Sequence, residues 1–148
     1  MSVVYLSVDS VIENHDVALT TMGGGRPGIR SQQMLASAVN QPQQSAFGED
    51  SYITVPEKAA AYGFFLAEDQ PFNDGNKRTG ALSMLMFLDL NGYDLHEADD
   101  EELASVFEDL GKHVMDQSEF FGWVCNHAKK RQPSADVLPF ERPTGTNE

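Results

Sequence analysis

"EDQPFNDGNKRTGALSMLMF", residues 68–87, sets a short polar loop against an apolar run long enough for a helix, and its reading decides both fold and site. From Lys77 the run ALSMLMFLDLNG is apolar nearly all round and ends at Asn91-Gly92, a helix-stop pattern, which predicts a central buried helix. Upstream, Thr54 and Glu57 stand in capping-box spacing with Pro56 in the first turn. They predict a helix from about Val55 to Glu68, with Ala59, Tyr62, Phe65 and Leu66 turned inward. The loop QPFNDGN then joins two core helices.

That loop is composed like a phosphate site. The N-terminus of a helix presents unpaired backbone N–H groups and the positive end of its dipole. Gly75 lets the backbone come close to a ligand, Asn76 can donate to an oxygen, and Lys77 and Arg78 add charge, the arginine as a fork suited to phosphate. Asp74 is the one carboxylate in the loop and can bind a Mg²⁺ ion that bridges phosphates. Phe72 is expected to turn inward and anchor it. Gln70 stands where such a site wants a proton acceptor, and an amide cannot take up a proton near neutral pH. The plainer alternative is a surface loop with a helix cap and two solvated cations.

Outward from the loop, VVYL at 3–6 suggests a short strand, and Ser7 a helix cap. Val8, Val11, Ile12, His15, Leu19 and Met22 form the stripe of an amphipathic helix that stops at the glycines 23–25. RSQQMLASAVNQP predicts a short helix closed by Pro42, and residues 43–53 are polar and irregular. Asp99 and Asp100 can start a helix through Met115, and Ser118 can cap a last one through about Lys130. Long strand patterns are missing, so the expected class is all-α: one domain over 1–130, then a Pro-rich, flexible tail over 131–148.

Of 148 residues, 41% are hydrophobic and 22% charged, the balance of a globular chain with a real core. Lys plus Arg (10) against Asp plus Glu (23) give a net charge of −13, which disfavours direct nucleic-acid binding and suits a basic partner segment. The lone Cys125 excludes an internal disulfide and a cysteine-based zinc cluster. His15, His96, His113 and His127 show no ligand spacing among themselves. GGGRPG at 23–28 matches G-x-G-x-x-G by letter, but a helix precedes it where the dinucleotide fingerprint needs a strand. The acidic run at 97–109 is expected to be a helix start with a solvated face. The N-terminus has neither a basic n-region nor a long apolar segment, so the expected location is cytoplasmic.

The loop resembles the core motif of the Fic/Doc family, H-x-F-x-D/E-G-N-G-R-x-x-R, or H-x-F-x-D-A/G-N-K-R in its Doc branch. Gln70, Phe72, Asp74, Gly75, Asn76, Lys77 and Arg78 occupy the matching positions, and only Gln70 departs. HDVALTTMGGGRPGIRSQQMLASAVNQP and FLDLNGYDL are similar to the flanking Doc-type segments.

The resemblance implies a compact helical bundle of Fic type with the motif loop between two central helices. It also implies transfer of part of ATP to a protein hydroxyl. In that scheme Gln70 takes the position of the catalytic base, Asp74 holds Mg²⁺, and Gly75, Asn76, Lys77 and Arg78 cradle phosphates, with Asp74, Lys77 and Arg78 counted as catalytic. Lys77 and Ala81 favour the Doc branch, which transfers the terminal phosphate and belongs to a bacterial toxin–antitoxin pair. An antitoxin segment and a translation factor, possibly elongation factor Tu, are the partners this implies. An AMP (nucleotidyl) transferase and a non-catalytic nucleotide- or antitoxin-binding module are the alternatives. Three readings of Gln70 follow: a deliberately inactivated toxin, a natural pseudoenzyme, or an enzyme whose glutamine only positions the target hydroxyl. The inhibitory S/T-x-x-x-E-G/N helix of self-blocked members has no true counterpart, since SAFGED at 45–50 ends in Asp50 and lacks a helix pattern.

Overall fold

A computed structural model describes residues 2–132. Among them the order is α1 (Val8–Thr21), α2 (Gln32–Asn40), a 3₁₀ turn (Gln41–Gln43), β1 (Ser45–Ala46), β2 (Glu49–Asp50) and α3 (Val55–Asp69). There follow α4 (Asn76–Leu90), β3 (Tyr93–Leu95), α5 (Asp100–Gly111), α6 (Gln117–His127) and β4 (Ala128–Lys130). The class is helical, as the sequence predicts, with two small antiparallel pairs added, β1 with β2 and β3 with β4.

Each helix starts where a cap satisfies its first amides. Ser7 accepts from the Ser10 amide, Ser31 from Met34, and Thr54 and Glu57 complete their capping box. The last helix starts two residues earlier than expected. Asp116, not Ser118, is its cap, in a second capping box with Glu119. α5 ends at Gly111 rather than Met115, because His113 adopts a left-handed conformation (φ 60°) that a helix cannot continue. α6 gives way at Ala128 to β4, whose pairing with β3 (Leu95 opposite Ala128, Tyr93 opposite Lys130) replaces the expected last helical turn.

VVYL does not pair as a strand. The side chain of Asn91, at the end of α4, takes the place of a partner: it accepts from the Val4 amide at 2.8 Å and donates to the Val4 carbonyl at 2.9 Å. The Leu6 amide donates to the Tyr62 hydroxyl at 2.9 Å. Burial pushes the Tyr62 phenol up to about 12, so it stays neutral. Polar residues 43–53 hold the β1–β2 hairpin. The Lys58 ammonium, 1% exposed, fastens it to α3 by bonds to the Asp50 carboxylate (3.1 Å) and the Tyr52 carbonyl. Residues 133–148, most of the expected tail, lie outside the described residues.

The core forms around α3 and α4, with α1 packed on α4, α2 and α6 on α3, and α5 on α4. Leu35, Tyr62, Leu66, Met84, Phe87 and Phe120 are fully enclosed within it. Phe65, expected inward, is only partly buried and packs on the rim. α3 and α4 meet at Gly63 and Gly80. A methyl group on Gly80 would come within 2.8 Å of the Gly63 carbonyl oxygen, and one on Gly63 within 3.1–3.2 Å of Phe107, Met84 and Phe120.

In an open helix Gly→Ala stabilises by about 1 kcal/mol. At Gly80 the obstacle is backbone and cannot swing aside, so overpacking of about 1–3 kcal/mol prevails. Urea denaturation of Gly80→Ala should show a net loss of stability, whereas a gain would mean that the two helices are free to separate.

Candidate functional site

α3 ends because residue 70 turns left-handed: Gln70 has φ 49° and ψ 60°, and Pro71 follows. A non-glycine residue in this region carries strain of about 1–2 kcal/mol, and contacts from elsewhere hold it. The Arg30 guanidinium donates through Nε to the Gln70 carbonyl at 2.6 Å and through its terminal nitrogen to the Asp69 carbonyl at 2.8 Å. The backbone of 28–31 then runs beside the loop. The Pro71 carbonyl accepts from the amides of Arg30 (2.7 Å) and Ser31 (3.0 Å), and the Asn73 amide donates to the Gly28 carbonyl (3.0 Å). Ile29 and Phe72 form an antiparallel bridge. The glycine-rich stretch that failed as a nucleotide fingerprint thus leads into the segment that braces the site loop.

Phe72 turns inward as expected, to 1% exposure, with its ring stacked on that of His15 in α1 at 3.9 Å between centroids and 6° between planes. Asn76 clasps it from the other side, its amide oxygen accepting from the Phe72 N–H at 2.9 Å and its amide nitrogen donating to the Phe72 carbonyl at 3.0 Å. The Asn76 side chain thus braces the loop with its oxygen and one of its two amide N–H groups, and the residue's backbone N–H lies in the first turn of α4.

Gly75 caps α4 with φ 76°, and no side chain caps the helix beside it. A Cβ there would meet Leu19 at 3.1 Å and His15 at 3.7 Å, so the glycine is required by both conformation and space. The Asp74 carboxylate accepts from the Arg26 amide at 3.1 Å. That bond, together with one from the Gly75 amide and the charges of Arg26 and Arg78, holds its pKa below the ordinary value. A depressed pKa keeps the group ionised as the pH falls through ~4, and the bond is lost only at more acid pH. Arg78 directs one terminal nitrogen at the end of α1, donating to the carbonyls of Met22 (2.6 Å) and Ala18 (3.3 Å). Lys77 pairs with Glu108 of α5 at 3.1 Å, both groups well exposed.

Gln70, Asp74, Gly75, Asn76, Lys77 and Arg78 all line one cavity of about 790 Å³ between the loop, α4 and α5. Its far wall is apolar, with Ala81, Leu82, Leu85, Leu103 and Phe107, and Glu68, Asp100, Glu108 and His113 also line it. Among the described residues no group of three or more His, Cys, Asp or Glu side chains is placed to hold a metal by itself. One ionised carboxylate at an anion-receptive helix end is nonetheless the donor set that fits Mg²⁺ carried in on a nucleotide, where phosphate oxygens supply the other ligands.

Residues 5–88 match the Fic/DOC family. The chain belongs to the Fic/DOC family. It is 34% identical over 110 residues to "Toxin Doc" of Mycolicibacterium smegmatis, an alignment covering 74% of this chain and 79% of that one. It is 32% identical over 102 residues to "Protein kinase doc" of Escherichia phage P1, covering 69% and 78%.

Reading the sequence of this Fic/DOC chain brought out the motif but missed its supports. His15 counts there only as part of a helix stripe, Arg26 lies in a segment read as a helix stop, and Arg30 opens a segment read as a short helix. The available signal was the density of Gly and Arg in 23–30, which is more than ending a helix requires.

Asn76→Ala removes both bonds to Phe72 while leaving the α4 backbone intact. Chemical denaturation should show a loss of about 1–3 kcal/mol, together with faster amide exchange at 71–75. Unchanged exchange there would mean that the stacked ring alone fixes the loop.

Proposed function

We propose that this Fic/DOC chain is a Doc-like toxin that transfers the terminal phosphate of ATP to a hydroxyl of a target protein, and that Gln70 leaves it catalytically impaired. The observation that carries this reading is the convergence of Gln70, Asp74, Lys77 and Arg78 on one cavity at the open N-terminus of α4. The names of the two relatives, a toxin and a protein kinase, support it.

In this reading the phosphates lie against the first-turn amides of α4, with Gly75, Lys77 and the free part of the Arg78 fork around them. Asn76 contributes its backbone N–H and the order of the loop. Asp74 is the residue that would hold Mg²⁺, which when bound neutralises phosphate charge. Lys77 exchanges Glu108 for phosphate at little cost, because an exposed ion pair contributes only ~0–1 kcal/mol. The target hydroxyl oxygen forms a bond to the γ-phosphorus, the bond from that phosphorus to the bridging oxygen breaks, and ADP leaves. The hydroxyl proton must go to a base. Gln70 occupies the base position and cannot accept it, and loss of a general base typically lowers the rate by ~10²–10⁴.

Lys77 supports phosphate rather than AMP transfer. Gly75, the residue of the nucleotidyl-transferring form of the motif that also occurs in the Doc form, is the observation behind the alternative. An antitoxin segment is the proposed regulator, a translation factor such as elongation factor Tu the proposed target, and the bacterial cytoplasm the proposed setting. Among the described residues no helix is long and apolar enough to cross a membrane.

The test restores the base. Gln70→His places an imidazole that titrates near neutrality at the cavity. Induced without antitoxin, it should arrest bacterial growth and label a target from γ-labelled but not α-labelled ATP, whereas the unaltered chain should do neither to a comparable extent. Asp74→Ala in the same background should abolish both effects. Label from the α position would make the protein an AMP transferase, and a folded, ATP-binding Gln70→His variant without growth arrest or label would make it a binding module.

A further inference from the structure

Lys77 and Glu108 come from different helices, and the lysine is seated on α5 more closely than a surface ion pair requires. Its ammonium lies 3.1 Å from the Glu108 carboxylate. Its stem lies over Gly111, the last residue of α5: a methyl group on that glycine would stand 3.3 Å from Lys77 Cδ and 3.4 Å from Nζ. Lys77, Glu108 and Gly111 all line the cavity. One of the two Lys and Arg side chains that line it, Lys77 beside Arg78, is thus laid against the end of a neighbouring helix.

Electrostatics gives the reason. The C-terminal end of a helix carries orphan carbonyls and the negative pole of its dipole, and a nearby cation stabilises it. α5 has no basic residue in its last turn, and it places Glu108 and Asp109 there, two carboxylates at the unfavourable pole. Lys77 supplies from α4 the positive charge that α5 lacks, and the bare Gly111 lets the stem lie flat. A phosphate at the start of α4 draws on the same ammonium. Sharing it between Glu108 and a phosphate would bring two anions together, so the two contacts oppose each other.

We propose that the end of α5 competes with a phosphate-bearing ligand for Lys77, so that Glu108 and Gly111 restrain ligand binding and occupancy of the cavity loosens the last turn of α5. The inference rests on the phosphate-site reading of that cavity, and adds to it a regulatory contact from a helix outside the motif.

Glu108→Gln removes the competing charge with little change of shape. Asp100→Asn is the control, since Asp100 lines the same cavity but forms no ion pair among the described residues. By calorimetry at low salt, Glu108→Gln should bind Mg·ATP about two- to fivefold more tightly than the unaltered chain, the scale of one exposed ion pair, and Asp100→Asn should gain less. In a Lys77→Gln background the extra gain from Glu108→Gln should vanish. A gain no larger than that of Asp100→Asn would reduce Glu108 to one more negative charge near the ligand, and a loss of affinity would mean that Glu108 presents Lys77 to the ligand; either overturns the inference. The second readout is amide exchange at Lys112, His113 and Val114, whose N–H groups close the end of α5 on the carbonyls of Glu108, Leu110 and Asp109. Exchange there should quicken when Mg·ATP is added to the unaltered chain, and should already be quicker in Lys77→Gln without nucleotide. If the variants bind but exchange does not move, the inference fails and the phosphate-site reading stands. If Lys77→Gln quickens exchange but the unaltered chain and Glu108→Gln both fail to bind Mg·ATP, that reading fails, the competition falls with it, and Lys77 keeps only its role at the end of α5.

Discussion

A buried ring in the middle of a polar loop is the constraint from which the site follows. Between the end of α3 and the start of α4 the chain has only residues 70–75 in which to reverse, and Phe72 is 1% exposed. Sinking that side chain takes the flanking backbone groups away from water, and each then needs a partner. Asn76 serves Phe72 on both its groups, Pro71 is served by the amides of Arg30 and Ser31, and Asn73 bonds to the Gly28 carbonyl. Satisfying Phe72 thus fixes the path of the loop. Asp74, Gly75 and the first turn of α4 are left facing outward.

Three helix ends meet around this loop, and they are treated differently. The carbonyl end of α1 is covered by Arg78, and that of α3 by Arg30. Both are negative ends of helix dipoles, and both are matched with a cation. The amide end of α4 has no capping side chain. In a chain of net charge −13, the two negative helix ends at this loop are each matched with a cation and the positive end of α4 is left without a capping side chain. The crossing at Gly63 and Gly80 lets α3 and α4 approach more closely than side chains at that contact would allow.

The helices were legible because caps and apolar periodicity are local properties: Thr54 with Glu57, Ser7, Ser31 and the run from Lys77 carry their own signals. The motif was legible because its residues lie within nine positions, 70–78. What was not legible depends on contacts between distant segments. His15 meets Phe72 and Asp74, Arg30 meets Asp69 and Gln70, and Arg78 meets Met22 only in the folded chain. The stop of α5 near His113 and the conversion of 128–130 to a strand likewise depend on backbone conformation and a partner strand, not on composition. Asn76 illustrates the limit: its amide also braces Phe72, a use that its residue type does not announce.

Position 70 separates the demands of folding from those of chemistry. The fold requires a residue that tolerates a left-handed conformation at the end of α3 and offers a carbonyl to Arg30, and both requirements are met by the backbone. The Gln70 side chain is exposed at the cavity and appears in none of the hydrogen bonds that hold the loop. The contacts of Phe72, Asn76 and residues 26–31 that hold the loop do not involve the Gln70 side chain, so they make no demand on which side chain stands there. The backbone demands of position 70 and the chemistry of its side chain are therefore independent, and in the proposed reading a chain with glutamine there would keep the shape and helix end of the site while lacking a proton acceptor.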